Sequence, residues 1–238
     1  EDGRADIAIH SLKDMPSQLP DGFTLAALPE RGDPRDVLVS RFTGGVSDLP
    51  AGARIGTSSP RRATQLRASR KDIEILPIRG NVDTRMTKAL GGDETGYDGA
   101  ILAAAGLDRM GRMGEVAELL NPEQFIPASG QGTLAVETLS SATGLRELVA
   151  AVDHAETRAA SDAERGFLAR LGAGCATAAA AYATLNGDAM TVRGFAATPD
   201  GSSSLTQAIT GSVSDARDLG NELANDMIKQ GALELIRA

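Results

Sequence analysis

The sequence predicts an α/β chain of two lobes around a hinged cleft, followed by a small α+β domain. Three observations predict it. Strand-like apolar runs alternate with helical stretches between residues 53 and 109, the pattern of a mainly parallel sheet whose ligands bind outside the carboxyl ends of its strands. Two Gly/Pro-containing stretches, residues 30–35 (ERGDPR) and 127–132 (PASGQG), stand where a chain would cross between lobes. After residue 153 comes a long helical stretch, then three strands separated by Asn186-Gly187 and by Pro199-Asp200-Gly201, then a closing amphipathic helix. The expected division is residues 1–30 with 131–152, residues 35–126, and residues 153–238.

Taken in order, the strand-like residues 6–10 have no element before them, so the chain is expected to enter its first domain partway. Pro16 stops regular structure and leaves Lys13 and Asp14 on a loop at the strand's carboxyl end. A Lys-Asp pair on a loop is usually solvated surface charge. His10 and Ser11 are adjacent, which does not supply a hydrolase triad, and no G-x-S-x-G elbow is present. New apolar structure starts at residues 37–40. Residues 53–56 end a short strand, and Thr57-Ser58-Ser59-Pro60 starts a helix with Ser59 as N-cap and Pro60 in the first helical position. Arg61 and Arg62 then fall in the first turn, where free N–H groups, the positive dipole end and two guanidiniums are expected to converge on an anion.

The unit repeats. Residues 73–78 run into Arg79-Gly80-Asn81 and a helix carrying Arg85, and residues 97–104 run into a helical stretch carrying Arg109. Residues 54–85 hold eight Lys/Arg against three Asp/Glu, a local excess of positive charge in a chain whose formal net charge is −8. Each such arginine alone is ordinary surface, but three in register argue for an anion site. GQGTLA from Gly130 is a weak nucleotide fingerprint, because no clear strand precedes it, and there is no Walker A sequence. Residues 145–152 and 155–171 read as helices, the second ending in Gly172-Ala173-Gly174 before Cys175.

Composition narrows the function. Aromatics are 3% with no Trp, and the balance is acidic, which argues against nucleic acid as a partner. Arg outnumbers Lys 20 to 4, which is assigned mainly to codon bias. One Cys and two His leave no disulfide framework and no metal-ligand cluster, so no metal is expected. No apolar run reaches the roughly 18 residues that span a bilayer. The expectation is a monomer, cytoplasmic unless a targeting peptide precedes Glu1. From spacing alone, the favoured function is a non-catalytic carboxylate-binding module in which the single Cys is incidental.

Six stretches in order, HSLKDMP, GTSSPRR, IRGNVDTR, ILAAAGLDRMG, PASGQGTLAVE and AERGFLARLGAGC, resemble the porphobilinogen deaminase (hydroxymethylbilane synthase) family along essentially the whole chain. The resemblance implies two lobes like type II periplasmic binding proteins plus a C-terminal cofactor-attachment domain. It implies a transferase that deaminates porphobilinogen and joins four molecules into the linear tetrapyrrole hydroxymethylbilane, a precursor of haem, on a dipyrromethane cofactor. By the resemblance Cys175 carries that cofactor covalently and Asp14 is catalytic. Lys13, Ser59, Arg61, Arg62, Arg79, Arg85 and Arg109 match positions that hold cofactor and substrate carboxylates, with Thr57, Ser58 and Gln131 as further contributors. Two departures are plain. The family's N-terminal segment, with further cofactor-binding residues, is not in this sequence, which keeps an inactive truncated homologue as a third reading. The Pro usually found three residues after the attachment Cys is Ala178 here.

Overall fold

The computed structural model describes residues 5–174 and 176–237. Strand β1 (Ala8–Ser11) runs into one 3-10 turn, Leu12–Asp14, that buries Leu12 and leaves Lys13 and Asp14 at the strand's end. β2 (Phe23–Ala27) follows, and the chain then crosses to β3 (Asp36–Ser40). Three strand-to-helix units come next: β4 (Arg54–Gly56) with α1 (Pro60–Ser69), β5 (Glu74–Leu76) with α2 (Val82–Leu90), and β6 (Gly99–Ala103) with α3 (Ala104–Arg109). The short β7 (Glu118–Leu119) precedes the return crossing to β8 (Leu134–Leu139) and α4 (Thr143–Val149). The chain closes with α5 (Ala155–Leu171), β9 (Ala179–Asn186), β10 (Ala189–Ala197), β11 (Ser204–Ser212), α6 (Ala216–Lys229) and α7 (Ala232–Arg237).

The central sheet has the order β5-β4-β6-β3-β7. It is mixed rather than mainly parallel: β4 runs parallel to β5 and β6, while β3 is antiparallel to β6 and β7. The reason lies in the connection. β3 arrives from the crossing and not through a strand-helix-strand turn, so nothing forces it into the parallel direction. Alternation then sorts the core. Val37, Val39, Ala100 and Leu102 pack on one face with Met86 and Leu107, and Leu38, Ile55 and Ile101 on the other with Leu66 and Phe125.

The first sheet, β1-β8-β2, is antiparallel and joins chain segments far apart in sequence. Sequence patterning named neither β2 nor β8 as strands. Their burial does not alternate cleanly, and a register shift between Leu25 and Ala27 breaks the period. Its core is small, built on Leu12, Leu28 and Ala135. The third sheet, β11-β10-β9, is antiparallel as expected, with Phe167, Leu171, Val192, Leu223 and Met227 packed between it and the helices α5 and α6. Gly220 lets those helices touch, because a Cβ there would lie 2.0 Å from the Ala163 carbonyl oxygen.

The two crossings run side by side. Gly32 donates its N–H to the Gly132 carbonyl at 3.2 Å. Gly132 has φ +88°, and a Cβ on it would lie 2.6 Å from the Gly32 oxygen, so both conformation and space call for glycine. One fully buried carboxylate ties the crossings to the C-terminal part. Glu164 on α5 accepts from Arg31 Nη1 at 2.7 Å, from the Gly130 N–H at 2.6 Å and from the Ala183 N–H of β9 at 3.0 Å.

Candidate active site

The helix start read from the sequence is the first device of the site. Ser59 caps α1, its side chain accepting from the Arg62 N–H, and Pro60 fills the first position. The preceding loop is held by hydroxyls. Thr57 is buried, its Oγ1 accepting from the Ser59 N–H at 3.2 Å. Ser58 Oγ donates to the Ile78 carbonyl at 2.8 Å and accepts from the Ile78 N–H at 3.1 Å, which pins the loop after β4 to the loop after β5. Asn81 caps α2 in the same manner, accepting from the Thr84 N–H at 2.9 Å. Arg85, one turn in, donates Nε to the Gly80 carbonyl at 2.7 Å.

These ends frame a cleft made of two neighbouring cavities. One, of about 250 Å³, is lined by Lys13, Asp14, Ser58, Ser59, Arg61, Arg62, Arg85 and Gln131. Gly174 and Thr177 also line it. The other, of about 310 Å³, shares Lys13, Asp14 and Arg85 and adds Arg109, whose Nη2 donates to the Gly132 carbonyl at 3.0 Å. Eight of the expected site residues therefore meet in one cavity and a ninth in its neighbour. Thr57 lies behind the loop, against a separate cavity. Arg79 is exposed and lines neither cleft cavity; its carbonyl accepts from Lys88 Nζ at 3.1 Å. Cys175 lies outside the described residues. Of its neighbours, Thr177 donates its N–H and its hydroxyl to the Gly174 carbonyl at 3.0 and 2.7 Å.

Arg61 and Arg62 differ from their sequence reading. They are not free guanidiniums at a helix end. Both are buried and share Asp36, the first residue of β3, with Arg61 Nη1 at 2.7 Å from one carboxylate oxygen and Arg62 Nη2 at 2.6 Å from the other. Arg61 also donates to the Ile126 carbonyl at 2.6 Å and Arg62 to the Ile101 carbonyl at 2.9 Å. The cause is proximity across the sheet: α1 packs over the β3 end where Asp36 lies, and a carboxylate and two guanidiniums excluded from water must pair. Burial pushes the Asp36 carboxyl up, but Arg61 and Arg62 outweigh it and hold it down at about 2. Burial also lowers Arg61 from the usual arginine range, though a guanidinium stays charged.

Lys13 is a second perturbed cation of the cleft. Burial, and then the neighbouring Arg62, lower it to about 8, against the opposing pull of Asp36 and Asp14. Its Nζ donates to Gln131 Oε1 at 3.2 Å. Asp36 itself was missed by sequence reasoning, because it sits 25 residues from Arg61 and reads as an ordinary charge before a strand.

Chemically, the cleft offers cations on several walls, hydroxyls at a capped helix start, and one exposed carboxylate, Asp14, at the junction of the two cavities. That donor set suits an elongated ligand bearing several carboxylates, with Asp14 placed for a group of opposite polarity.

Comparison with known proteins agrees with this geometry. Residues 1–147 match the family model described as porphobilinogen deaminase, dipyromethane cofactor binding domain, and residues 159–229 match porphobilinogen deaminase, C-terminal domain. The porphobilinogen deaminase of Chromobacterium violaceum is 46% identical over 237 residues, spanning 100% of this chain and 76% of that protein. Those of Syntrophus aciditrophicus and a Roseiflexus species are 44% and 46% identical over 98% of this chain and 76% of theirs. Motifs, cleft and relatives converge: the chain belongs to the porphobilinogen deaminase family.

Proposed function

We propose that the chain is a transferase that deaminates porphobilinogen and joins four molecules into hydroxymethylbilane, on a dipyrromethane primer attached at Cys175. The observation that carries this reading is the cleft of two adjoining cavities with Asp14 at their junction, cations around it, and the residues flanking Cys175 on its rim. Residues 1–30 with 131–152 and residues 35–126 are read as its two lobes, and residues 153–238 as the part that presents the primer. The enzyme is read as a cytoplasmic monomer acting on a small molecule.

The donor set fits the primer, whose rings carry acetate and propionate groups. Lys13, Ser59, Arg85 and Arg109 would hold those carboxylates, and the primer when bound supplies the pyrrole carbon that accepts the incoming unit. Arg61 and Arg62 contribute as a rigid, charged floor rather than as mobile clamps, since Asp36 and backbone carbonyls fix them. Asp14 accepts a hydrogen bond from the pyrrole N–H of the substrate and faces the positive charge that develops as its amine departs. The same carboxyl can pass a proton to that amine and take one back from the joined ring. Attachment of the acceptor makes each addition intramolecular, so its translational entropy is not lost anew at every step.

The test is porphobilinogen consumption by Asp14→Asn. Turnover is expected to fall by about 100-fold or more, with a melting temperature close to wild type because the side chain is exposed. Near-normal consumption removes Asp14 from the chemistry.

A further inference from the structure

Asp36 does more than neutralise two arginines. Fully buried, it accepts from Arg62 Nε at 2.9 Å and from Gln131 Nε2 at 2.9 Å through the same oxygen, while Arg61 occupies the other. Gln131 Nε2 also donates to the Pro34 carbonyl at 2.8 Å. Both amide hydrogens of Gln131 thus point at acceptors on the β3 side, and a flipped amide would set its oxygen against a carboxylate and a carbonyl. Its Oε1 is thereby turned to the cleft, where Lys13 Nζ donates at 3.2 Å and Arg62 Nη2 at 3.4 Å.

The charges follow the same line. Lys13 is faced by Arg61 and Arg62 from α1, by Asp36 from β3 and by its neighbour Asp14, and Arg85 from α2 lines the same cavity. Removing the Asp36 charge would take away one of the two carboxylates, Asp36 and Asp14, that favour the charged Lys13.

We propose that Asp36 is the positioning residue of the cleft: through Gln131 it fixes the acceptor that holds the Lys13 ammonium, and by its charge it keeps that ammonium protonated beside two guanidiniums. The inference rests on reading the cleft as a carboxylate-gripping site, for which a charged and placed Lys13 is required. Burial and then Arg62 lower Lys13 to about 8, and Asp36 is first among the groups that raise it.

The experiment follows the pH dependence of Lys13 acetylation by trace acetic anhydride, read from the mass of the Lys13 peptide, in the full chain as isolated. In Asp36→Asn the midpoint is expected to fall by about one pH unit or more, and Asp36→Glu, which keeps the charge, should fall much less. Gln131→Leu leaves Asp36 and both arginines paired and should give a smaller fall in the same direction. A purely structural Asp36 would lower the melting temperature and leave the midpoint in place. An unchanged midpoint in folded Asp36→Asn, or in Gln131→Leu if Asp36→Asn does not fold, overturns the proposal. The KM for porphobilinogen should rise about tenfold in Asp36→Asn, with kcat changing less. A shifted midpoint with an unchanged KM keeps the positioning role and removes the carboxylate-gripping reading.

Discussion

Burial, and then the neighbouring Arg62, work against the Lys13 ammonium, while Asp36 and Asp14 favour it. Lys13 is held near 8 in the folded protein, against about 10.5 when unfolded. The unfolded chain therefore binds more protons between those values, and stability rises with pH across that window. Below pH 8 the charged Lys13 costs about 3 kcal/mol. Urea unfolding at pH 8 and 10.5 should show wild type gaining on Lys13→Met by an amount of that order. Parallel pH profiles for the two proteins would remove the burial penalty. A bound polycarboxylate would relieve the same penalty, which links the stability of Lys13 to its proposed role in binding. Asp14, beside it, is exposed, in keeping with its proposed contact with substrate.

At the scale of elements, the helix starts were legible because their determinants are local. Ser59 and Pro60 declare α1, and the expected closing hairpins match β9 to β11 within a few residues. What the sequence hid was long-range. The Arg61 and Arg62 side chains obey a carboxylate 25 and 26 residues away, so a rule about helix dipoles placed them correctly along the chain and wrongly in space. β8 was hidden for the same reason, since both its partners lie more than a hundred residues upstream. Where α5 meets α6, the Gly220 contact with Ala163 is a further non-local constraint that composition cannot reveal. Gly220→Ala should cost about 1–3 kcal/mol through forced separation of the helices, seen as a lower denaturation midpoint. A variant as stable as wild type would mean that the pair separates freely.

At the scale of the molecule, sequence motifs located the cleft better than they located its wiring. Eight expected residues share one cavity, yet the groups that connect the parts, Asp36, Arg31 and Glu164, were legible only as ordinary charges. Glu164 binds Arg31, Gly130 and Ala183, and so couples both crossings to the part of the chain that carries Cys175. Breaking a buried pair of this kind leaves an unmatched charge and typically costs about 3–5 kcal/mol. Glu164→Gln should melt well below wild type and become sensitive to proteolysis near residues 28–35 and 126–133. Unchanged resistance at those crossings would show that they are held by other contacts.

The cleft's organisation has its full meaning only if a primer is tethered at its rim. Intact mass under denaturing conditions, on the full chain and on Cys175→Ser, measures this without reliance on turnover. Wild type should exceed its sequence mass by one dipyrrole unit while Cys175→Ser sits at its own sequence mass. Equal treatment of the two proteins, whether both are bare or both carry the adduct, would contradict a primer held through Cys175.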